Sequence, residues 1–174
     1  MEKAEELIRE LADLRRRVMR TEGVLAVQDL KARYAELVDQ RFSKGRIVDA
    51  DTLAVVSDRA AALFTTDGVW DGGPALGRTV GREAIAARLR EPTVAYARHF
   101  FLNPRIVVDD ETATARWEVL SPCRMPDGTS YWMTGYEDDE YVHDGETWLH
   151  RSMKLTTVFM APVQAGWTEA SVFR

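Results

Sequence analysis

The sequence predicts an α+β fold, with helices in the first part of the chain and a curved, mostly antiparallel sheet in the second part. Two observations support this prediction. Up to about residue 64, apolar residues recur every three or four positions, which is the period of a helix with one buried face. From residue 97 onward, segments rich in β-branched and aromatic residues are separated by Asp-Gly turns, which favour antiparallel hairpins. Helices followed by consecutive strands are the α+β order.

The composition is that of a single globular domain. The 174 residues are 45% hydrophobic, which is enough to bury a substantial core, and they contain no repeat or internal linker. The net charge of −5 argues against a nucleic-acid or anionic-membrane partner, since both need clustered Lys and Arg. The single cysteine, Cys123, excludes an intramolecular disulfide and a Cys-based metal site. With no signal-peptide pattern and no apolar run of about 18 residues, we expect a cytoplasmic protein.

Residues 2–20 are predicted to form a first helix. Apolar residues alternate steps of four and three along one side of it, at Leu7, Leu11, Leu14 and Val18. Such a leucine seam suits a partner helix, either within the fold or from another subunit. Gly23 is predicted to separate this helix from the next one.

The second helix carries the residues on which the functional prediction depends. Its apolar stripe consists of Val27, Leu30, Tyr34, Leu37 and Val38. Asp39 lies near the edge of this stripe in the last turn, where its carboxylate faces the negative end of the helix dipole. Such a position is unfavourable without a cation or a hydrogen-bond donor, so we expect Asp39 to have a partner.

The predicted partner of Asp39 is His99, in the strand segment ARHFFLNPRIVV. A carboxylate beside a histidine fixes its tautomer and stabilises the imidazolium, which makes a general base that works near neutral pH. An Asp and a His chosen from a sequence can also be a coincidence. The pairing therefore depends on the context given by the rest of the chain.

The middle of the chain predicts one more long helix and several short elements. The third helix would begin after Asp51 as its N-cap. Its buried face would consist of Leu53, Val56, Ala60, Leu63 and Phe64. From Thr66, a segment rich in Gly and Asp predicts two short strands around a turn, with Trp70 on the first strand. The segment GREAIAARLRE then predicts a short helix that Pro92 ends.

Four strands close the chain, over residues 97–108, 112–122, 130–141 and 147–161. The turns MPDGT and HDGE join the last three into hairpins, so the strands form an antiparallel meander. A strongly twisted sheet with helices across one face can curl into a cone that encloses an apolar cavity. We expect the chemistry in this cavity.

The motifs AVQDLKARYAELVD, FTTDGVWDGG, VGREAI, HFFLNPRIVV and GETWLHRSMKL, in this order, resemble the SnoaL-like branch of the nuclear transport factor 2-like superfamily. The similarity runs from about residue 22 to about residue 165. It implies a single SnoaL-like domain over residues 1–174, with an extra N-terminal helix at 1–21 and a C-terminal tail at 162–174. Within the branch, the chain is most similar to the scytalone dehydratase, bile-acid 7α-dehydratase and lindane dehydrochlorinase group. These lyases share an α+β cone and an Asp–His pair that removes a proton.

The resemblance assigns roles to several residues. The Asp and His of the family's pair fall on Asp39 and His99, and a Tyr of the bile-acid enzyme falls on Tyr34. Tyr34 is expected to donate a hydrogen bond to a leaving hydroxyl or an enolate, or else to form part of the cavity wall. A Trp that forms a pocket wall in relatives falls on Trp70. The dehydrochlorinase has an Arg where this chain has Met153, so the substrate is expected to differ.

Further cavity residues are predicted from strand alternation. Arg151 shares a face with Met153 and could supply the cation that the Arg of the dehydrochlorinase provides. The same alternation places His150 on the opposite face, at the outer surface or an interface. Met133 is expected to be an apolar wall. For Glu118 two placements remain open, because composition puts its neighbours Trp117 and Val119 inside, whereas the match to the dehydrochlorinase puts Glu118 inside.

Together these features predict a cofactor-independent lyase that acts on a largely apolar, hydroxylated substrate by β-elimination, usually dehydration, or by retro-aldol release of a small aldehyde. No metal site is predicted, because no His, Asp and Glu have ligand spacing. The alternatives are an isomerase or polyketide cyclase with the same residues, and a non-catalytic domain that binds a small ligand. The leucine seam and the apolar tail VFMAPVQAGW predict a homo-oligomer, a trimer or a dimer.

Overall fold

One long helix, α1 (Glu2–Asp39), packs on the sheet in the computed structural model, which describes residues 2–163. The prediction of two helices separated at Gly23 is wrong. A Cβ atom at Gly23 would lie 2.9 Å from Cγ1 of Val108, so the glycine allows the helix to approach the sheet closely. A glycine costs a helix interior only about 1 kcal/mol, and this close packing offsets the cost.

The two halves of α1 have different surroundings. In the second half, the whole predicted apolar stripe is buried in the core, namely Val27, Leu30, Tyr34, Leu37 and Val38. In the first half, the four side chains of the leucine seam are 45–57% exposed. No residue in the described range 2–163 covers this seam.

The remaining helices are short. Helix α2 (Ala50–Ala61) begins two residues earlier than predicted, because Asp49 is its N-cap and accepts a hydrogen bond from the backbone N–H of Thr52 at 2.9 Å. Asp51 lies inside the helix. Helices α3 (Gly73–Leu76) and α4 (Arg82–Leu89) follow, and α4 confirms the predicted short helix before Pro92.

A seven-stranded sheet forms the second layer, besides a small hairpin of β1 (Phe42–Ser43) and β2 (Arg46–Ile47). Its strands are β3 (Phe64–Asp71), β4 (Arg78–Val80), β5 (Tyr96–Ala97), β6 (Phe100–Asp109), β7 (Thr112–Arg124), β8 (Ser130–His143) and β9 (Trp148–Pro162). Strands β6 to β9 form the predicted antiparallel meander, and β3 with β4 forms the predicted short hairpin.

The two parts of the sheet are joined by a parallel pairing of β3 with β9, which the sequence did not predict. Phe64 begins β3 and pairs with His150, so its predicted place on the third helix is wrong. Leu63 also lies beyond the end of α2. Both side chains remain in the core, because the buried face continues from α2 into β3.

The face of the sheet that is turned toward α1 consists of alternate residues of the last three strands. They are buried and comprise Ala113, Ala115, Trp117, Glu137, Asp139, Tyr141, His150, Met153 and Leu155. The α+β prediction, with a curved, mostly antiparallel sheet covered by a helix, is confirmed. None of the helices within residues 2–163 is long and apolar enough to cross a membrane. Most of the predicted tail, from residue 164 on, lies outside the described residues.

Candidate active site

The structure brings Asp39 and His99 together at the end of α1. Nδ1 of His99 lies 2.8 Å from Oδ1 of Asp39. The same carboxylate accepts a hydrogen bond from the backbone N–H of His99 at 3.1 Å, and Nε of Arg98 lies 3.3 Å from its other oxygen. Asp39 is only 6% exposed, so these donors take the place of water at the negative end of the helix dipole.

The sheet edge explains why the backbone of His99 reaches Asp39. Arg98 donates its N–H to Pro122 on β7, and in an antiparallel ladder the next residue then directs its N–H away from that strand. The N–H of His99 therefore points outward from β7, where the carboxylate of Asp39 accepts it. Residues 98 and 99 accordingly interrupt the edge strand between β5 and β6.

The hydrogen bond to Asp39 sets the chemical role of the imidazole. Nδ1 carries a proton and donates it in the hydrogen bond to the carboxylate, so the lone pair of Nε2 is available. Nε2 has no hydrogen-bond partner among residues 2–163, and the His99 side chain is 21% exposed. Solvent or a substrate can therefore reach the basic nitrogen.

An aromatic wall connects the dyad to Tyr34. The ring of Phe101 stacks on His99, with centroids 6.4 Å apart, and also contacts the ring of Tyr34, with centroids 6.3 Å apart. The Tyr34 hydroxyl accepts a hydrogen bond from Nε1 of Trp70 at 3.2 Å. Burial raises the pKa of Tyr34 to about 12, so the phenol keeps its proton at neutral pH and can donate it to a substrate oxygen.

A buried charged cluster contacts the ring of Phe101, and sequence reasoning missed it. Lys31 is 1% exposed and its Nζ lies 4.1 Å from the Phe101 centroid. It donates to Oδ2 of Asp139 at 2.7 Å and to a carboxylate oxygen of Glu137. Tyr141 also donates to Oδ2 of Asp139, at 2.8 Å. We call Lys31, Glu137 and Asp139 the Lys31 cluster.

Burial and charge act against each other in the Lys31 cluster. Burial lowers the pKa of Lys31, but the charges of Asp139 and Glu137 outweigh it, so the pKa is raised overall. Burial raises the pKa of Glu137 to about 7, although the charge of Lys31 opposes this. Burial likewise raises the pKa of Asp139. Near neutral pH, Glu137 therefore exchanges a proton while Lys31 stays charged.

Strand β9 contains a bulge that reverses two of the predicted placements. His150 pairs with Tyr141 and Ser152 pairs with Glu140, so Arg151 is an extra residue between them. Arg151 is exposed on the outer surface, so its predicted place on the same face as Met153 is wrong. His150 is fully buried, with its ring 5.6 Å from that of Tyr34, so its predicted outer position is wrong too.

The imidazole of His150 is held among aromatic rings. It stacks on Phe64 with centroids 5.0 Å apart and contacts Tyr141 at 4.8 Å. Neither ring nitrogen has a hydrogen-bond partner among residues 2–163. Burial, with the charge of Lys31, holds the pKa of His150 well below its usual range, so the ring is neutral.

The other predicted cavity residues divide by face. Glu118 is exposed, whereas Trp117 and Val119 are buried. The placement from composition is therefore confirmed, and the alternative that puts Glu118 inside is wrong. Met153 is buried opposite Trp70 and Asp139.

Two apolar residues border this region less deeply. Trp70 is partly buried and packs against the core that contains Tyr34. Met133 is half-buried and lies on the same face of β8 as Glu137, four residues away. Their roles as walls of the substrate cavity stay predictions.

Two grooves with volumes of about 400 Å³ and 510 Å³ flank α1 beside the turn between β8 and β9. Neither includes Asp39, His99 or Tyr34 among the residues that line it. The dyad and Tyr34 therefore lie outside both grooves. Within residues 2–163, no group of three or more His, Cys, Asp or Glu side chains could hold a metal ion.

Comparison with known proteins gives a family and a fold. A family described as SnoaL-like domain matches residues 19–154. No curated protein matches the chain. Among solved structures, the hexachlorocyclohexane dehydrochlorinase LinA-type3 from Novosphingobium barchaimii is 17% identical, with a TM-score of 0.69, over 83% of this chain and 92% of that one.

Two other similar structures come from Novosphingobium aromaticivorans. A candidate scytalone dehydratase is 19% identical, with a TM-score of 0.66, over 83% of this chain and 90% of that one. A protein described as NTF2-like with a cystatin-like fold is 21% identical, with a TM-score of 0.64, over 85% of this chain and 88% of that one. At these identities the likeness shows the shared fold.

Proposed function

This chain belongs to the SnoaL-like domain family, and we propose that it is a lyase in which His99, held by Asp39, acts as the general base. The observation that carries the proposal is the 2.8 Å contact between Nδ1 of His99 and Oδ1 of Asp39. It leaves Nε2 available on a partly exposed ring. Two similar structures are named as a dehydrochlorinase and a candidate scytalone dehydratase, which agrees with elimination chemistry.

In the proposed reaction, Nε2 of His99 removes a proton from carbon or from a hydroxyl of the substrate. The nearby carboxylate stabilises the imidazolium that forms, and the three donors around Asp39 keep the carboxylate in place. Removal of a carbon-bound proton leads to β-elimination, usually of water. Removal of a hydroxyl proton leads to retro-aldol cleavage with release of a small aldehyde.

Tyr34 is the proposed donor to the oxygen on which negative charge collects. Its hydroxyl accepts from Trp70 and has no acceptor for its own proton among residues 2–163. With a pKa near 12, the phenol remains a donor over the working pH range. A donor that is already oriented stabilises developing charge without reorganising during the reaction.

The walls near the dyad indicate the substrate class. Phe101 stacks beside His99 and also contacts Tyr34, and Trp70 bonds to the Tyr34 hydroxyl. Flat aromatic walls favour an aromatic or alicyclic substrate that carries a hydroxyl group.

The test is a mass-spectrometric screen of the purified protein against hydroxylated aromatic and alicyclic compounds. Loss of one water identifies a dehydratase, and loss of one formaldehyde identifies retro-aldol cleavage. We expect His99→Ala to lower kcat/KM about 10²- to 10⁴-fold, the usual contribution of a general base. His143→Ala is the matched control, because that histidine lies at the end of β8, where Nδ1 accepts from Gly145.

The screen also distinguishes the alternatives. A product of unchanged mass that depends on His99 would indicate an isomerase or a cyclase. Ligands that bind to the wild type and to His99→Ala without any product would indicate a binding domain, and the lyase proposal would then be wrong.

A further inference from the structure

Two arginine side chains lie beside the proposed site without a carboxylate partner. Arg41 follows the end of α1 and is 8% exposed. Arg88 is on α4, and its guanidinium carbon lies 4.9 Å from the centroid of the Trp70 ring. Nε of Arg88 is buried and has no hydrogen-bond partner among residues 2–163.

Four other arginines among residues 2–163 are paired with acids, namely Arg16, Arg90, Arg98 and Arg116. Arg90 contacts Asp58, and Arg116 makes two contacts of 2.7 Å to Asp138. Neither Arg41 nor Arg88 has a carboxylate oxygen within 4.0 Å among the described residues. Arg41 is thus buried and Arg88 half-buried without a carboxylate in direct contact.

Both guanidiniums belong to the end of α4, because Nη1 of Arg41 donates to the carbonyl of Leu89, the residue that follows Arg88, at 3.2 Å. Burial lowers the pKa of Arg41, the charges of Tyr34 and Asp39 raise it, and the charge of Arg88 lowers it. Placing two cations together at a desolvated position is unfavourable unless an anion joins them. A bound anion would supply the missing compensation.

A structural role accounts for only part of this arrangement. Arg41 donates from Nε to the carbonyl of Val38 at 2.8 Å and from Nη1 to that of Leu89 at 3.2 Å, which satisfies the end of α1 and joins it to α4. A guanidinium carries five N–H groups, and Nη2 of Arg41 has no acceptor among residues 2–163. The side chain of Arg88 makes no hydrogen bond to any of these residues, so helix capping does not explain it.

Both arginines connect to the residues proposed for catalysis. Arg88 packs on Trp70, and Trp70 donates to the Tyr34 hydroxyl. Arg41 is two residues from Asp39, which holds His99. Arg88 is therefore linked to Tyr34 through Trp70, and Arg41 is linked to the base through Asp39.

We propose that Arg41 and Arg88 form a subsite for a carboxylate group of the substrate, so that the substrate is a hydroxylated aromatic or alicyclic acid. Guanidinium groups match the two oxygens of a planar carboxylate, and the Trp70 ring gives the apolar body a surface to pack on. That the bound acid is a substrate rests on the proposed function. The presence of an anion subsite is measured by binding alone.

The test compares three probes that bind without reacting: benzoate, benzamide and inorganic phosphate. Benzoate and benzamide share size and shape and differ in charge. Binding is followed by NMR on the indole N–H of Trp70, assigned with Trp70→Phe, because this group lies between Arg88 and Tyr34. We expect benzoate to bind the wild type at least about tenfold more tightly than benzamide.

Two variants and one control assign the preference to the subsite. Arg88→Met is expected to abolish the preference for benzoate, and Arg41→Met to weaken it. Arg90→Met is the matched control, because this neighbouring guanidinium is exposed and paired with Asp58; it should keep the wild-type preference. Circular dichroism checks that each variant is folded. If Arg41→Met does not fold, Arg88→Met still tests the subsite, because the Arg88 side chain makes no hydrogen bond to the described residues.

Three results would overturn the inference. They are equal binding of benzoate and benzamide by the wild type, a benzoate preference that Arg88→Met retains, and tighter binding of phosphate than of benzoate, which would identify a phosphate site. Failure of the lyase proposal is separate, since it appears as absence of product in the screen whatever the binding preference. A neutral alcohol turned over by a protein without benzoate preference would keep the lyase and reject the subsite.

Discussion

Replacing Glu137 by Gln should change how the stability of the protein depends on pH. Glu137 is buried beside Lys31 and Asp139, and burial raises its pKa from 4.5 to about 7. Between pH 4.5 and about 7, Glu137 therefore keeps its proton in the folded protein and has lost it in the unfolded chain. For a carboxyl whose pKa is raised on folding, stability is fully present below pH 4.5 and falls as the pH rises to about 7.

The magnitude follows from the size of this change. Each pH unit between the unfolded and folded pKa is worth about 1.4 kcal/mol, so ionising Glu137 in place costs about 3 kcal/mol. Gln has nearly the same shape and no charge to gain, and Lys31 keeps Asp139 as its partner. Relative to the wild type, Glu137→Gln should therefore gain about 3 kcal/mol of unfolding free energy between pH 4.5 and pH 8.

The assay is urea unfolding of the wild type and the variant at several pH values across this range. Glu140→Gln is the matched control, because this side chain is on the same strand but on the exposed face. The control should follow the wild type at every pH. A Glu137→Gln variant whose unfolding free energy also runs parallel to that of the wild type from pH 4.5 to pH 8 would refute the reasoning.

Three further changes test other parts of the molecule. Asp39→Asn should lower kcat/KM about 100-fold or more on any substrate found in the screen, measured by initial rates, and a loss below tenfold would contradict its role beside His99. Tyr34→Phe should lower kcat while reducing the unfolding free energy by about 1 kcal/mol, since one hydrogen bond from Trp70 is lost; unchanged kcat would assign Tyr34 to the wall alone. Leu11→Glu, in the exposed leucine seam, should reduce the mass seen by sedimentation equilibrium if the seam joins subunits, and a monomeric wild type would contradict self-association through it.

The second half of α1 shows what the sequence could predict. The three- and four-residue spacing from Val27 to Val38 identified the buried stripe, and every predicted member is in the core. The same reasoning placed Asp39 in the last turn, where the helix dipole requires a donor. A short-range pattern was sufficient here because the face of a helix depends only on residues within a few turns.

The errors on the last strands have a different physical origin. Strand alternation places side chains correctly until a residue is inserted on one strand, and the bulge at Arg151 moves His150 and Met153 to the same face. Nothing local in the segment WLHRSMKL marks this insertion. It depends on the pairing of β9 with both β8 and β3, which a single sequence does not reveal.

The Lys31 cluster was missed for a related reason. In the run YEDDEY, four consecutive acidic residues occupy both faces of β8, so polarity does not distinguish Glu137 and Asp139 inside from Asp138 and Glu140 outside. Lys31 lies on the buried side of α1, but a lysine is normally expected at the edge of such a stripe. The cluster is recognisable only when the lysine and the two carboxylates are considered together, and they are more than 100 residues apart in the chain.

The Lys31 cluster has a consequence for the dyad, because one helix carries both. Lys31 fixes the rotation of α1 against β8 through two carboxylates at a buried position, and Asp39 is two turns further along the same helix. Removing Lys31 alone would leave two buried carboxylates unpaired, at a cost of about 3 to 5 kcal/mol, whereas neutral replacement of all three members would avoid most of that cost. A stable triple variant with Lys31→Met, Glu137→Gln and Asp139→Asn therefore separates the contribution of the cluster to stability from its contribution to the position of α1. If such a variant binds substrate normally but loses kcat, the ionic contacts serve to hold α1 in the register that presents Asp39 to His99.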